Sequence, residues 1–281
     1  RMSMNVLLRH GISFDWVDTR KIENVENAIK QNTKLIHVET PTNPMLEICD
    51  LEKISHLCKQ RNILFSVDNT FMSPYGQRPI DYGADVVMQS STKSLSGHSD
   101  LLGGVLTTND KELDEKLHFI LKATGAVPSP FDNWILLRST KTLSLRYQRS
   151  CDNAMKIAEW LYKKNYTKKL LYPGLESHPQ FSLAAKQQLN PNGERIFGNM
   201  ISFDIGSEEK RDNFLERLEI FSLAESLGGV ESLVCVPYDM THAAVPEESK
   251  LEMGITKSLI RLSIGIEDCS DLIDDLNSSF S

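Results

Sequence analysis

Between Thr33 and Thr70 the chain runs through two short apolar, β-branched segments with an amphipathic helical pattern between them, an order that few folds accept. TKLIHVET (Thr33 to Thr40) stops at Pro41, and NILFSVDNT (Asn62 to Thr70) stops in a polar turn, as strands do. In between, Asp50 stands where an N-cap belongs, and Leu51, Ile54, Leu57 and Cys58 of LEKISHLCKQR fall on one helical face. Two strands joined through a helix lie parallel in one sheet, with the helix covering one face of it. ADVVMQSS (Ala84 to Ser91) and GGVLTT (Gly103 to Thr108) add two further runs, and a helix follows from Lys111 with Leu113, Leu117, Ile120 and Leu121 expected inward. The fold class is therefore α/β, a mostly parallel sheet with helices on its faces.

The pattern changes at GAVPSPFD (Gly125 to Asp132), which leads into a stretch from Asn133 to about Lys164 without Pro or Gly, read as one or two long helices leaving the first domain. After the breaks at Pro173-Gly174 and Pro191-Asn192-Gly193, NMISFDIG (Asn199 to Gly206) and SLIRLSIGIE (Ser258 to Glu267) read as strands, with a helix around Glu208 to Leu218. A last helix places Cys269, Leu272, Ile273 and Leu276 on one face, and the charges of EDCSDLIDD are expected in solvent. The expected division is residues 1–140 for the larger α/β domain and 141–281 for a smaller C-terminal α+β domain. No internal repeat or low-complexity segment interrupts it.

Charge and cysteine usage exclude several functions. Thirty-one Lys+Arg against 38 Asp+Glu leave a net charge of −7, with no basic surplus to neutralise a phosphate backbone, so nucleic acid is not an expected partner. No apolar run approaches the roughly 20 residues of a spanning helix, so no membrane partner is expected. The five cysteines are odd in number and never spaced C-x-x-C, which argues against a disulfide framework or a zinc site and points to a reducing, cytoplasmic setting. The chain opens at Arg1, and RMSMNVLLRHGISF lacks the sections of a signal peptide, so the chain reads as a fragment.

The segment QSSTKSLSGHSD (Gln89 to Asp100) carries the most chemistry. Lys93 follows a strand at the carboxyl edge of an α/β sheet, where ligand crevices open, and a desolvated amine there is poised to form a Schiff base with an aldehyde cofactor. Hydroxyls and N–H groups beside it suit a phosphate. The competing reading is a solvated loop of small polar residues. Asp68 ends the strand FSVD on the same edge, and a carboxylate there can keep a pyridine nitrogen protonated and make its ring an electron sink, the arrangement that pyridoxal phosphate needs; a turn-capping Asp is the alternative. Ser96, His98 and Asp100 lie too close on one loop to align as a hydrolase triad, and Cys58 shares the apolar side of its helix, as a core thiol rather than a metal ligand. His242 is read either as a substrate contact or as a turn histidine near the domain interface.

ETPTNP (Glu39 to Pro44), VDNTFMSPYGQRP (Val67 to Pro79), SSTKSLSGHSD (Ser90 to Asp100), GAVPSP (Gly125 to Pro130), AESLGGVESL (Ala224 to Leu233), MTHA (Met240 to Ala243) and LIRLSIGIED (Leu259 to Asp268) together resemble the Cys/Met-metabolism family of pyridoxal-phosphate enzymes, nearly end to end and in order. The resemblance implies the family's fold type I architecture, pyridoxal 5'-phosphate as cofactor, and a carbon–sulfur lyase of trans-sulfuration acting on an amino-acid substrate. It is closest to the members that split L-cystathionine by gamma-elimination, with gamma-synthases, beta-lyases or a non-catalytic homologue as alternatives.

Residue by residue, the resemblance implies that Lys93 carries the cofactor and moves protons, that Asp68 pairs with the pyridine nitrogen, and that Asn43 contacts the ring hydroxyl oxygen. Ser90 and Thr92 match phosphate contacts. Arg261 matches the residue that holds the substrate α-carboxylate, with Ser226 beside it, and Glu225 matches an acidic position at the substrate side-chain end. Family members carry a further N-terminal stretch, with a glycine-containing phosphate loop, a ring-stacking tyrosine and a Tyr/Arg pair lent to the neighbouring subunit, that has no counterpart here. An N-terminally truncated chain is therefore expected, a partial gene product or a degenerate protein. On its own it is expected to expose apolar surface and bind cofactor weakly, and at full length to form a homotetramer.

Overall fold

A computed structural model describes residues 6–280 of the chain, so residues 1–5, which open the RMSMNVLLRHGISF stretch, lie outside the described residues. A four-stranded sheet has the order β1-β2-β3-β4, with β1 (Leu35–Glu39), β2 (Leu64–Asp68) and β3 (Val86–Ser90) parallel and β4 (Gly104–Thr107) antiparallel to β3. The crossover from β1 to β2 is helix α1 (Leu51–Arg61). Asp50 caps it by accepting from the Lys53 N–H at 3.1 Å, and Asn62 ends it in the left-handed region. Leu51, Ile54 and Cys58 bury against Val38, Phe65 and Val67 to form the core of this layer.

Helix α2 (Lys111–Thr124) is capped by Asp110, and α3 (Pro130–Thr140) by Ser129. The expected inward face of α2 is only partly so: Leu113 and Leu117 are half-buried, whereas Ile120 and Leu121 are exposed, because nothing among the described residues packs over the last turns of α2. The long Pro- and Gly-free stretch forms two helices, α3 and α4 (Leu143–Lys164).

A five-stranded sheet follows, in the order β5-β6-β9-β8-β7: β5 (Lys169–Leu171), β6 (Met200–Asp204), β7 (Ser222–Leu223), β8 (Leu233–Cys235) and β9 (Leu259–Ser263). All neighbours are antiparallel except β7 and β8. Helix α5 (Glu208–Arg217) and helix α6 (Cys269–Ser279) join α4 in closing the second core around Ile201, Phe203, Ile260 and Leu262. The sequence expectation for α6 fails at one acid. Asp275 is buried, because its carboxylate accepts the backbone N–H groups of Glu219 (2.8 Å), Ile220 (3.0 Å) and Phe221 (3.2 Å).

Candidate active site

The loops that leave β1, β2 and β3 at their carboxyl ends meet β9 and the 225–228 loop of the second sheet. Lys93 lies in the turn Ser91–Leu95 directly after β3, and its backbone (φ −90°, ψ −135°) leaves the helical path there. Arg146, buried on α4, fixes the segment just beyond by donating to the carbonyls of Ser94 (2.9 Å) and Leu95 (3.2 Å) as well as Ser139 (3.0 Å). Gly228 (φ +74°) brings the opposing loop so close that a Cβ would stand 2.8 Å from the Ser94 nitrogen, so a side chain at this position would push the loop off the lysine turn.

The Lys93 amine donates to Ser226 Oγ at 3.3 Å. Burial, and then the positive charge of Arg261, push its ammonium below the ordinary lysine range, with Glu225 opposing. Arg261 stands in the middle of β9 and is 1% exposed. Its Nη1 donates to Asn43 Oδ1 at 2.9 Å, and its Nη2 donates to the carbonyls of Glu225 (2.9 Å) and Ser226 (3.2 Å). Its buried Nε has no hydrogen-bond partner. Burial lowers its pKa, against the pull of Cys235, Glu39 and Glu225. The strand-bound guanidinium is thus held by neutral oxygens and keeps its charge for an anion.

Asp68 ends β2 with Oδ1 accepting the Thr70 N–H at 3.0 Å, and the Thr70 hydroxyl in turn accepts the Ser90 N–H at 2.9 Å, tying the ends of β2 and β3 together. Direct bonds therefore join Asn43, Arg261, the backbone of Glu225 and Ser226, and Lys93 through Ser226, while Ser90 is linked to Asp68 by Thr70. Thr92 stands apart: its Oγ1 accepts from the Gly103 N–H at 3.0 Å. His242 hydrogen-bonds Thr241 Oγ1 through Nδ1 at 2.8 Å. Burial first, then Arg261 and Lys250, hold His242 below its usual range, against a hydrogen bond with the Asn43 backbone.

The discounted alternatives find no support in the geometry. His98 Nδ1 bonds the backbone carbonyl of Ser96 at 2.6 Å, and Cys58 is buried in the first core. Among the described residues no group of three or more His, Cys, Asp or Glu is arranged to hold a metal ion.

Sequence reasoning gave no role to Glu39, Thr70 and Arg146. A signal existed for Thr70, which follows Asp68 by two residues, the spacing of an Asx-type turn. Arg146 had none, since an arginine in a long helix reads as solvated until its turn is known.

A family model described as Cys/Met metabolism PLP-dependent enzyme matches residues 1–281. The chain is 50% identical over 279 residues to cystathionine gamma-lyase of Bacillus subtilis (strain 168), covering 99% of this chain and 72% of that protein. It is 46% identical over 279 residues to cystathionine beta-lyase of Lactococcus lactis subsp. cremoris (strain MG1363), with the same 99% and 72% coverage. Among solved structures, cystathionine gamma-lyase from Lactobacillus plantarum complexed with L-serine superposes with a TM-score of 0.94 at 42% identity, over 99% of this chain and 72% of that one.

Proposed function

The chain belongs to the Cys/Met metabolism PLP-dependent enzyme family, and from that premise we propose that it is a carbon–sulfur lyase that splits L-cystathionine by gamma-elimination, with water consumed and L-cysteine, 2-oxobutanoate and ammonia released. The observation that carries the proposal is the Arg261 node. A buried guanidinium, held by Asn43 and two carbonyls, stands one residue contact from the lysine amine through Ser226. An α-amino acid bound with its carboxylate at Arg261 brings its Cα toward Lys93.

The residues present fit pyridoxal 5'-phosphate, the cofactor of this family. Lys93 supplies an amine lowered in pKa, Asp68 a carboxylate at the adjacent strand end, and the Ser90 hydroxyl and the Ser91–Leu95 turn supply polar groups for a phosphate. When bound, the cofactor supplies an aldehyde for the substrate amine and a ring that takes up electrons from Cα.

The protein's own groups do the rest. Arg261 holds the α-carboxylate and sets the orientation. Lys93 Nζ takes the Cα proton, a task eased by the burial that favours its neutral form. Asp68 would hold the proton on the ring nitrogen of a bound cofactor, and Asn43, fixed by Arg261, would contact the ring oxygen. A second proton, lost from Cβ, would balance the proton that the γ-sulfur takes up as it leaves as cysteine. Glu225, assigned to the side-chain end of the substrate, opposes with its charge the fall in the Lys93 pKa. The 50% and 46% relatives bear gamma-lyase and beta-lyase names, and the reading for gamma-elimination rests on the gamma-type acid at Glu225.

The test is a product analysis. Purified protein with pyridoxal phosphate and L-cystathionine is expected to release cysteine and 2-oxobutanoate in equal amounts. Homocysteine and pyruvate would instead make it a beta-lyase. Borohydride reduction followed by peptide mass spectrometry is expected to fix the cofactor on Lys93 alone, and label on another lysine would remove the site assignment. The same proposal includes a cytoplasmic homo-oligomer, a homotetramer, supported by the apolar surface of α2 and α3. It also divides the chain near residue 140, supported by a separate core on each sheet.

A further inference from the structure

The turn that carries Lys93 ends abruptly. A helix continuing past Leu95 would offer N–H groups from its next turn to the carbonyls of Ser94 and Leu95. The chain instead enters the left-handed region at Gly97 (φ +71°) and again at Ser99 (φ +55°), so the helical path stops there. Arg146 takes the place of those donors, with Nη1 on the Ser94 carbonyl at 2.9 Å and Nη2 on the Leu95 carbonyl at 3.2 Å. The rest of its guanidinium is anchored where α3 meets α4, Nη2 donating also to the Ser139 carbonyl at 3.0 Å and Nε to Thr142 Oγ1 at 3.0 Å. The planar fork thus joins two successive carbonyls of the lysine turn to a fixed point on other elements.

The fit leaves little slack. A Cβ at Gly97 would stand 2.0 Å from Arg146 Nη1, so only glycine there leaves the guanidinium its place. The Gly97 N–H donates to the Lys93 carbonyl at 2.8 Å, and the Gly97 carbonyl accepts the Val230 N–H at 2.9 Å. The residue that makes room for Arg146 therefore also ties the lysine backbone to the chain just past Gly228. The cavity left among Ser94, Arg146 and Gly228 is about 10 Å³, room for one water at most. Arg146 is 9% exposed, its four acceptors are neutral oxygens, and no carboxylate among the described residues offsets its charge. For stability alone, an apolar side chain of similar volume would fill this place with less desolvation.

We propose that Arg146 is a positioning residue of the cleft. It holds the lysine turn at a fixed distance from the 225–228 loop, and so sets where the Lys93 amine stands relative to Ser226 Oγ, 3.3 Å away, and to the Cα of a substrate bound at Arg261. It acts through the backbone of residues 94–97 and does not touch the substrate. Proton transfer between Nζ and Cα depends on that placement, since a misplacement of about 1 Å can cost on the order of a hundredfold in rate.

The inference rests on the proposed reaction, and the experiment separates the two. In cofactor-free protein, amide hydrogen exchange read by mass spectrometry is expected to be about tenfold faster over residues 89–100 in Arg146→Met and Arg146→Lys than in wild type, and unchanged over 200–204. The cofactor-loaded proteins are then given L-alanine in heavy water, and replacement of its α-proton by deuterium is followed by NMR, per chain that borohydride labels. That step needs the lysine amine but no leaving sulfur. Both variants are expected to lose about tenfold or more in exchange rate at saturating alanine, while the half-saturating concentration, set by Arg261, stays within about twofold. Arg146→Lys keeps the charge without the fork and decides the matter should Arg146→Met fail to fold. A wild-type rate in Arg146→Lys, a loss confined to the half-saturating concentration, unchanged exchange over 89–100, or equal acceleration over 200–204 as a general loss of stability would give, overturns the positioning role. Absence of α-proton exchange in wild type overturns the proposed reaction instead, and the amide exchange, taken without cofactor, stands apart from it.

Discussion

On the proposed site, Lys93 and Glu225 set the expected pH response, because burial and then Arg261 lower the lysine pKa and Glu225 opposes them. Removing the Glu225 charge takes away the opposing influence, so the ammonium loses its proton at lower pH. The rate at which cofactor-free protein adds pyridoxal phosphate requires the free amine and rises with pH through that pKa. In Glu225→Gln the whole rise is expected to move to lower pH, and a shift to higher pH, or none, removes Glu225 from the lysine's surroundings. Arg261→Lys is expected to raise KM for cystathionine by about tenfold or more, since an ammonium cannot span Asn43 and two carbonyls while offering a second donor pair to a carboxylate. Steady-state kinetics across substrate concentration checks this. The sheet-edge positions of Lys93 and Asp68 were legible at this scale because Asp68 closes one apolar run and Lys93 comes shortly after another. Glu39 lies in a motif that was equally visible, but its register partner on β2, Asp68, is a relation between distant segments which no local pattern contains.

Among the elements, α6 shows where pattern reading stops. Its apolar stripe was legible, with Leu272 and Leu276 fully buried in the second core. The acids around that stripe look alike in sequence, yet Asp275 receives three backbone N–H groups from the turn before β7 while Asp274 is exposed. Asp275→Ala leaves those donors without their acceptor and is expected to cost at least about 1–3 kcal/mol. Asp274→Ala is expected to change stability by no more than about 0.5 kcal/mol. Chemical denaturation of the two variants checks the contrast, and equal midpoints would show that the buried carboxylate adds nothing. Helix α2 fails in the opposite sense: its periodicity was read correctly as helix, but periodicity states only that a face is apolar and not what covers it.

For the whole molecule, that uncovered apolar surface has a shape. Phe119 of α2 is 71% exposed, and on α3 Phe131, Trp134 and Leu137 are 65%, 59% and 68% exposed, followed by Leu145 at the start of α4 at 73%. Ile135 and Leu136 on the other side of α3 are half-buried, so the helix carries large apolar side chains on more than one side. Phe131 and Trp134 stack with ring centroids 6.0 Å apart, a rigid aromatic pair of the kind enriched at the centres of protein interfaces. Large exposed apolar side chains gathered on neighbouring helices are the content of an interaction surface. The proposed homo-oligomer covers it with a second copy. Light scattering coupled to size exclusion is expected to give a mass of more than one chain. The double variant Trp134→Asp with Leu137→Asp is expected to lower that mass toward a single chain while far-ultraviolet circular dichroism stays unchanged, since both side chains point outward and support no core. A wild-type protein that elutes as a stable monomer would falsify the oligomer, and an unchanged mass in the double variant would move the interface to another face.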